Sequence, residues 1–288
     1  MTTILMRVLI ATLTLFLLLT GCGGESSVDG GGDDTIADQI PPPITDGNWY
    51  RPEPLVTWQW QLNGVVNISY NVEIYDIDLF DSSEMLIQQL QASGKKVVCY
   101  FSAGSYEAWR SDAGRFKPED LGNTLDGFPA ERWLDIRSLN VQAIMKDRLD
   151  LAQQKGCDGV EPDNMDGYIN DSGFSLTAAE QLAFNRLIAN EAHKRNLSVG
   201  LKNDLDQINE LVNYFDFAVN EQCFEFSECE ALSPFINESR PVLNAEYKQE
   251  YVNNSAARAA MCNQSRMLQF STLILPVELD DSFRFSCL

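Results

Sequence analysis

Three acidic residues fall within six positions in the stretch formed by residues 156–168. They are Glu161, Asp163 and Asp166, and they follow a run that has the character of a buried strand. Because side chains alternate along a strand, Glu161 and Asp163 point to the same side. Carboxylates gathered at one strand end indicate acid–base chemistry. The alternative is a helix N-cap at Asp163 or Asn164, which would explain one acid and not three.

The elements around this stretch alternate short apolar strands with amphipathic helices. This pattern predicts an α/β fold with a parallel sheet, and eight strands in a chain of this length predict a single (β/α)₈ TIM barrel. A doubly wound open sheet is the rival, but no Gly-x-Gly-x-x-Gly follows the first strand and no Walker sequence occurs. Strands are predicted at residues 57–62, 72–78, 96–102, within 156–163, and at 197–203, 215–221, 241–247 and 267–273, with helices at 85–94, 141–155 and 177–196.

Nearly every predicted strand ends in polar residues, which a barrel would gather on one open face. Single acids have structural alternatives, such as an ion pair between Asp76 or Asp78 and Lys202 or Arg137. The candidate residues at strand ends are Asp76, Asp78, Ser102, Glu161, Asp163, Lys202, Asn203, Asn220, Glu221, Gln222, Glu246 and Tyr247.

Carboxylates on different strands, with aromatic residues nearby, are what glycoside hydrolysis requires. One acid protonates the leaving oxygen, the other attacks or activates water, and aromatic faces stack on sugar rings. Asp163 and Glu221, on the fourth and sixth predicted strands, are the candidate catalytic pair; retention, inversion and the roles of the two acids stay open at this stage. Further candidate substrate-binding residues are Trp58, Tyr100, Glu107, Trp109, Asp135, Arg137, Asn164 and Asp166.

Other chemistries have little support in the sequence. The chain has one histidine, His193, within a helical pattern, and no Cys-x-x-Cys, so neither a metal nor a cofactor is predicted. Ser–His–Asp catalysis is not favoured, because His193 lies in the middle of a predicted helix and Gly-x-Ser-x-Gly is absent.

Composition predicts one large acidic domain. The 288 residues, 44% of them hydrophobic, can bury a single core. A net charge of −21 repels nucleic acid and anionic lipid headgroups and favours a cationic partner. The alternative is that the acidity only keeps the surface soluble.

The N-terminus has the pattern of an export signal. Arg7 precedes an apolar run at residues 8–19 that is too short for a stable membrane span, and residues 19–22 (Leu-Thr-Gly-Cys) look like a bacterial lipobox. We therefore expect a signal peptide at 1–21, a lipidated Cys22, a Gly/Ser/Asp/Pro tether at 22–48 and the barrel at 49–288. This predicts a monomer in the bacterial cell envelope that touches the membrane only through its lipid anchor. An ordinary secretory signal is the alternative.

Export to an oxidising compartment permits disulfides among the six remaining cysteines. Cys223 with Cys229 and Cys262 with Cys287 are plausible pairs, whereas Cys99 and Cys157 are either paired or buried thiols. A long excursion at residues 111–131 is interrupted by glycine and proline, and loops of this length tend to be functional. A lid over the groove is the hypothesis for it.

Seven motifs stand in order along the chain: WQWQL (58–62), YDID (75–78), CYFSAGSYE (99–107), WLDIR (133–137), GCDGVEPDNMD (156–166), GLKN (200–203) and NEQC (220–223). Together they resemble those of glycoside hydrolase family 114, the endo-α-1,4-polygalactosaminidases. The resemblance implies a (β/α)₈ barrel that hydrolyses α-1,4-linked galactosamine polymers, including partly deacetylated galactosaminogalactan, with Asp163 and Glu221 as the catalytic pair. Deacetylated sugars carry an ammonium, which an acidic groove favours. The alternatives are an envelope lipoprotein that binds polysaccharide without cutting it, and an α-glycosidase for another sugar.

Overall fold

Eight parallel strands follow one another round a single sheet. The structure, a computed structural model, describes residues 41–288. Each strand pairs with the next in spatial order, so the predicted α/β fold with a parallel sheet is confirmed. With strands numbered along the chain, the eight are β1 (Trp58–Gln61), β2 (Ile74–Asp78), β3 (Lys96–Ser102), β7 (Gly159–Asp163), β8 (Ser198–Lys202), β9 (Phe217–Glu221), β10 (Val242–Glu246) and β11 (Ser271–Ile274).

The sheet curls until the inward side chains of its first and last strands meet. A buried cluster joins Trp58 and Trp60 of β1 with Phe217 of β9, Leu243 of β10 and Leu273 of β11. Side chains from strands at opposite ends of the ladder share this cluster, so it forms the interior of a TIM-barrel-like fold.

The junction between the two end strands departs from the expected closed ring. Within residues 41–288 the ladder ends with β12 (Phe285–Ser286), which pairs antiparallel with β11 on the edge that would otherwise face β1. The C-terminal segment bridges the gap between β11 and β1, where the Arg284 side chain donates to the Trp58 carbonyl at 2.7 Å. The Leu279 carbonyl accepts from the backbone N–H groups of Leu62 and Asn63 at 3.0 and 3.2 Å.

Helices cover the outside of the sheet, and their ends follow local sequence rules. The Ser138 hydroxyl caps the N-terminus of the second helix, which ends at Gly156 in the left-handed conformation. Thr177 and Glu180 form the capping box expected for the third. The helices are α1 (Glu84–Ala92), α2 (Leu139–Lys155), α3 (Ala178–Lys194), α4 (Ile208–Leu211), α5 (Cys223–Phe226), α6 (Ser233–Asn237), α7 (Gln249–Asn253) and α8 (Ser255–Met267), with 3₁₀ turns at Ala113–Arg115, Pro118–Asp120, Gly167–Ile169, Leu205–Gln207 and Cys229–Leu232.

The excursion after β3 is a small sheet of its own. Strands β4 (Ser105–Glu107), β5 (Leu121–Leu125) and β6 (Phe128–Leu134) pair antiparallel in the order β4-β6-β5. Its entry depends on Gly104, because a Cβ there would lie 1.8 Å from the Asn164 carbonyl oxygen. Glycine therefore allows the excursion to leave the sheet directly beside the end of β7.

Three disulfides stabilise the domain. Two of them, Cys223–Cys229 and Cys262–Cys287, confirm the predicted pairs. The third, Cys99–Cys157, joins β3 to the short segment that precedes β7. These two cysteines are therefore disulfide-bonded and not free thiols.

The described chain begins on the outside of α3. The Pro41 carbonyl accepts from the Tyr214 hydroxyl at 3.1 Å, and the Ile44 N–H donates to Asn190 at 2.9 Å. Trp49 stacks on His193 with ring centroids 4.1 Å apart. Residues 41–48, assigned to the tether from sequence, thus contact the barrel. The predicted signal peptide, Cys22 and the rest of the tether lie outside the described residues, and none of the helices in the described part is both long and apolar enough to span a bilayer.

Candidate active site

A cleft of about 950 Å³ lies over the C-terminal ends of the strands. Parallel strands in a barrel bring these ends to one face, which is where barrel enzymes carry their chemistry. Nine residues predicted from the sequence line it: Tyr100, Asp163, Asn164, Asp166, Lys202, Asn203, Glu221, Gln222 and Tyr247.

Asp163 and Glu221 meet at one ammonium group in this cleft. The Lys202 Nζ atom lies 3.1 Å from Asp163 Oδ1 and 3.2 Å from Glu221 Oε2. The two carboxylate oxygens are therefore within about 6.3 Å of each other, the sum of those distances. This gap is the size that a glycosidic bond flanked by two carboxyl groups requires.

Asp163 is held by three donors. The Tyr100 hydroxyl donates to Oδ2 at 2.9 Å, and the backbone N–H of Asn164 donates to Oδ1 at 2.8 Å. Asn164 has φ of 59°, a conformation that asparagine adopts more readily than most residues and that helps the N–H reach this oxygen. With the Lys202 ammonium, these donors fix the carboxylate at the mouth of β7.

Glu221 is held by a different set of side chains. The Tyr247 hydroxyl donates to Oε1 at 2.6 Å, and the Asn203 amide donates to Oε2 at 3.2 Å. Burial and the adjacent Glu221 carboxylate raise the pKa of Tyr247 well above its usual range, so the hydroxyl stays a donor. Asn203 also accepts from the Glu221 N–H at 3.0 Å, which fixes backbone and side chain together.

A second layer of acid lies beneath this pair. Glu161 Oε1 is 3.2 Å from Lys202 Nζ, and both Glu161 and Asp76 are fully buried. Burial raises the pKa of Glu161 to about 7 and the pKa of Asp76 well above its usual range. Burial alone would lower the pKa of Lys202, but the surrounding carboxylates raise it well above its usual range, so the ammonium stays charged.

The walls of the cleft are formed mostly by residues that do not lie at the ends of the predicted barrel strands, and these residues were not predicted from the sequence. One wall is the β5–β6 hairpin and the other is the C-terminal segment with the loop after β1. Seven acidic residues and a single lysine, Lys202, line the cleft, so its field is strongly negative. The length of the excursion at residues 111–131 was the available signal for the hairpin wall. The lining residues not assigned from sequence are Trp60, Leu62, Asn63, Thr124, Leu125, Asp126, Phe128, Glu131, Trp133, Met165, Asn170, Asp171, Val277, Glu278 and Leu279.

Several predicted site residues lie elsewhere in the fold. Asp78 and Glu107 each form a buried ion pair with Arg110 at 2.7 Å. The exposed Trp109 lies outside the cleft lining. Asp135 pairs with Arg137 at 2.8 Å, also outside the lining.

The remaining predicted residues are buried around the strand ends. Glu246 accepts from the Phe224 N–H at 2.9 Å, and Asn220 donates to Asn203 at 3.2 Å. Ser102 contacts Ser105 at 2.6 Å. Trp58 lies in the barrel interior, where its indole donates to the Ser271 carbonyl at 2.7 Å. Within residues 41–288 there is no group of three or more His, Cys, Asp or Glu side chains that could hold a metal ion.

Comparison with known proteins agrees with this geometry. The model of glycoside-hydrolase family GH114 matches residues 41–288. The crystal structure of Aspergillus fumigatus Ega3 in complex with galactosamine is 43% identical, covers 84% of this chain and 100% of its own, and superposes with a TM-score of 0.79. The glycoside hydrolase domain of PelA from Pseudomonas aeruginosa shares the fold at 12% identity, with a TM-score of 0.59 over 79% of this chain and 96% of its own. A search of curated proteins found no match.

Proposed function

This chain belongs to glycoside hydrolase family GH114 and is a glycoside hydrolase, and we propose that it is an endo-acting enzyme that cleaves α-1,4-linked, galactosamine-containing exopolysaccharide. The observation that carries the proposal is the contact of Asp163 and Glu221 with the one Lys202 ammonium at the floor of the cleft.

The substrate class rests on charge and on the similar structure. Seven carboxyl groups line the cleft, and an amino sugar with a free ammonium is attracted to them where a neutral sugar is not. Ega3, at 43% identity, was crystallised with galactosamine. Endo action is supported by the arrangement of the walls, because a polymer can lie between the β5–β6 hairpin and the C-terminal segment.

We assign Asp163 as the nucleophile and Glu221 as the acid and base. Asp163 receives a fixed backbone donor besides Tyr100 and Lys202, which suits a group that stays ionised. The donors to Glu221 are all side chains, which can adjust as it loses and regains a proton.

In the first step Asp163 forms a bond to the anomeric carbon while Glu221 gives its proton to the departing oxygen. In the second, Glu221 takes a proton from water, whose oxygen replaces Asp163 at that carbon. The nearest carboxylate oxygens lie within about 6.3 Å. This upper limit admits the roughly 5–5.5 Å separation of retaining enzymes, and we propose that the enzyme retains the anomeric configuration.

The test is hydrolysis of partly deacetylated α-1,4-galactosamine polymer by the purified protein, followed through new reducing ends and product lengths. Asp163→Asn and Glu221→Gln should each lower the rate by at least about a hundredfold. Asp206→Asn and Glu119→Gln, exposed acids outside the cleft, are matched controls that should retain activity. Polymer binding with no new reducing ends would favour the binding lipoprotein instead, and cleavage only of other polysaccharides would change the substrate.

Attachment to the bacterial envelope is a further part of the proposal. Three disulfides fit an oxidising compartment, and residues 19–22 resemble a lipobox. We expect Cys22→Ala to move the protein from the membrane fraction to the soluble fraction of the producing cell. An unchanged distribution would contradict a lipid anchor at Cys22. We also propose that the protein is a monomer, which its mass in solution would test.

A further inference from the structure

Two acidic side chains lie in the barrel interior below the cleft and do not line it. Asp76 on β2 and Glu161 on β7 are both fully buried, and neither is among the lining residues. Their carboxyl groups are within hydrogen-bonding reach of each other. Within the described chain, the Lys202 ammonium 3.2 Å from Glu161 Oε1 is the one cationic group beside these four carboxyl oxygens, which otherwise have no hydrogen-bond donor.

Such a pair cannot carry two negative charges in the barrel interior. Like charges at hydrogen-bonding distance and the loss of solvent both oppose a second ionisation. One shared proton removes the problem, because a protonated carboxyl donates to its ionised neighbour. Asp76 is the natural holder of the proton, since Glu161 has the Lys202 ammonium 3.2 Å from Oε1 and Asp76 makes no ion pair with any residue of the described part of the chain.

The groups that face this pair come from every neighbouring strand. Tyr100 of β3 and Tyr247 after β10 are neutral donors to the catalytic acids. Among residues 41–288, Lys202 of β8 is the only cation within ion-pair distance of Glu161. Asp163 of β7 and Glu221 of β9 contact the same ammonium from above.

We propose that Asp76 and Glu161 share one proton and act as positioning residues whose single negative charge balances Lys202, which leaves Asp163 and Glu221 to share one further proton. This rests on the proposed function of Asp163 and Glu221. With Lys202 and Glu161 cancelling, the upper pair repel one another and hold one proton between them. An ionised Asp163 and a protonated Glu221 are the state that the first step of glycoside cleavage requires.

Two substitutions of nearly equal size separate charge from packing. Glu161→Gln removes the negative charge. The uncompensated Lys202 ammonium then lowers the pKa of the proton that Asp163 and Glu221 share. The alkaline limb of the pH profile of kcat/KM should then move to lower pH. A unit charge about 6 Å away at an effective dielectric constant of about 20 corresponds to a shift of roughly one to two pH units.

Asp76→Asn replaces a neutral acid with a neutral amide that can still donate to Glu161. The charge of the cluster is unchanged, so the alkaline limb should stay within about 0.3 pH units of the wild type. A purely structural role would change thermal stability and leave the alkaline limb of the pH profile in place. Equal shifts of this limb in the two variants, or no shift in Glu161→Gln, would therefore overturn the proposal.

Infrared spectroscopy tests the shared proton without any substrate. The difference spectrum between the wild type and Asp76→Asn at neutral pH should show the loss of one buried carboxylic acid C=O stretching band, because other protonated acids such as Asp204 and Glu221 are common to both proteins and cancel. Absence of this loss would overturn the proposal even if Glu161→Gln failed to fold. Loss of activity on every galactosamine polymer, with this spectral difference present, would instead contradict the proposed function and leave the shared proton established.

Discussion

Tyr247 donates a hydrogen bond of 2.6 Å from its hydroxyl to Glu221 Oε1 at the mouth of the barrel. The Tyr247 side chain follows β10 and reaches the acid that ends β9. The bond therefore orients a carboxyl group that we expect to lose and regain a proton in every catalytic cycle.

We expect Tyr247→Phe to lower kcat by about tenfold to a hundredfold, because a hydrogen bond to a charged group contributes roughly 1.5–3 kcal/mol. KM should change little, since the hydroxyl acts on the enzyme's own acid. Tyr50→Phe is the matched control: its hydroxyl donates to Glu73 at 2.7 Å on the exposed surface. Equal losses of kcat in the two variants would show that the Tyr247 contact has no particular role.

The proposed two-step mechanism predicts retention of anomeric configuration. NMR of the first products should show the α anomer before mutarotation. Azide should restore turnover to Glu221→Ala and yield an α-glycosyl azide, whereas with Asp163→Ala it should yield the β product, because azide then replaces the nucleophile. A β anomer from the wild-type enzyme would mean that the oxygens move apart to admit water and that the mechanism inverts.

The β5–β6 hairpin belongs to the excursion for which a lid was the hypothesis, and its contact with the substrate can be tested. Phe128 is 55% exposed and lines the cleft. Phe128→Ala should raise KM for the polymer severalfold with kcat nearly unchanged, since a stacking contact far from the bond acts equally before and during the reaction. Trp109, also 55% exposed, lies outside the cleft lining, so Trp109→Ala should leave KM unaltered. The reverse result would put the polymer on the other side of β4.

The residues at the floor of the cleft could be predicted from the sequence, because their positions follow from the local periodicity of the strands. Alternation along β7 gives Glu161 and Asp163 the same face, and both contact Lys202. The same alternation explains why Glu246 is outside the cleft: Ala245 of β10 belongs to the interior cluster, so its neighbour points outward to the Phe224 N–H.

The walls and the barrel junction could not be predicted in this way. The pairing of β12 with β11 joins residues after the last predicted strand to the sheet edge. The β5–β6 hairpin lines the mouth and is held there by long-range hydrogen bonds from Asn123 to Ser172 and Asp171. The depth of Asp76 in the barrel could not be predicted either. Periodicity indicates that its side chain points inward, but not that it lies below the cleft. Contacts distant in sequence are set by tertiary packing, for which a single sequence has no local signal.

The Cys99–Cys157 disulfide should contribute more stability than the Cys223–Cys229 disulfide. The first closes a separation of 58 residues and the second one of 6. Loop-closure entropy predicts about 4 kcal/mol for the longer loop and about 2 kcal/mol for the shorter. Urea unfolding of Cys99→Ala/Cys157→Ala and of Cys223→Ala/Cys229→Ala measures the difference. If the shorter-loop variant lost more stability, local strain or packing would outweigh chain entropy.

The stability of the folded protein should fall as pH rises, in part because of Asp204. Burial, followed by repulsion from Asp166, raises the pKa of Asp204 to about 8 in the folded state. In the unfolded chain an aspartate titrates near about 3.9. The folded state therefore binds the proton more tightly, and its contribution to stability is complete below about pH 4 and lost as pH rises towards about 8.

Asp204→Asn should remove this part of the slope, which is at most about 1.4 kcal/mol per pH unit. The amide can still accept from Asn185, which donates to Asp204 at 2.8 Å, and asparagine tolerates the left-handed φ of 47° at this position. Glu119→Gln, an exposed acid that does not act on Asp204, should keep the wild-type slope. The difference in the free energy of unfolding between Asp204→Asn and the wild type should thus increase steadily in favour of the variant as the pH rises from about 5 to about 8. A constant difference across that range would mean that Asp204 does not titrate there.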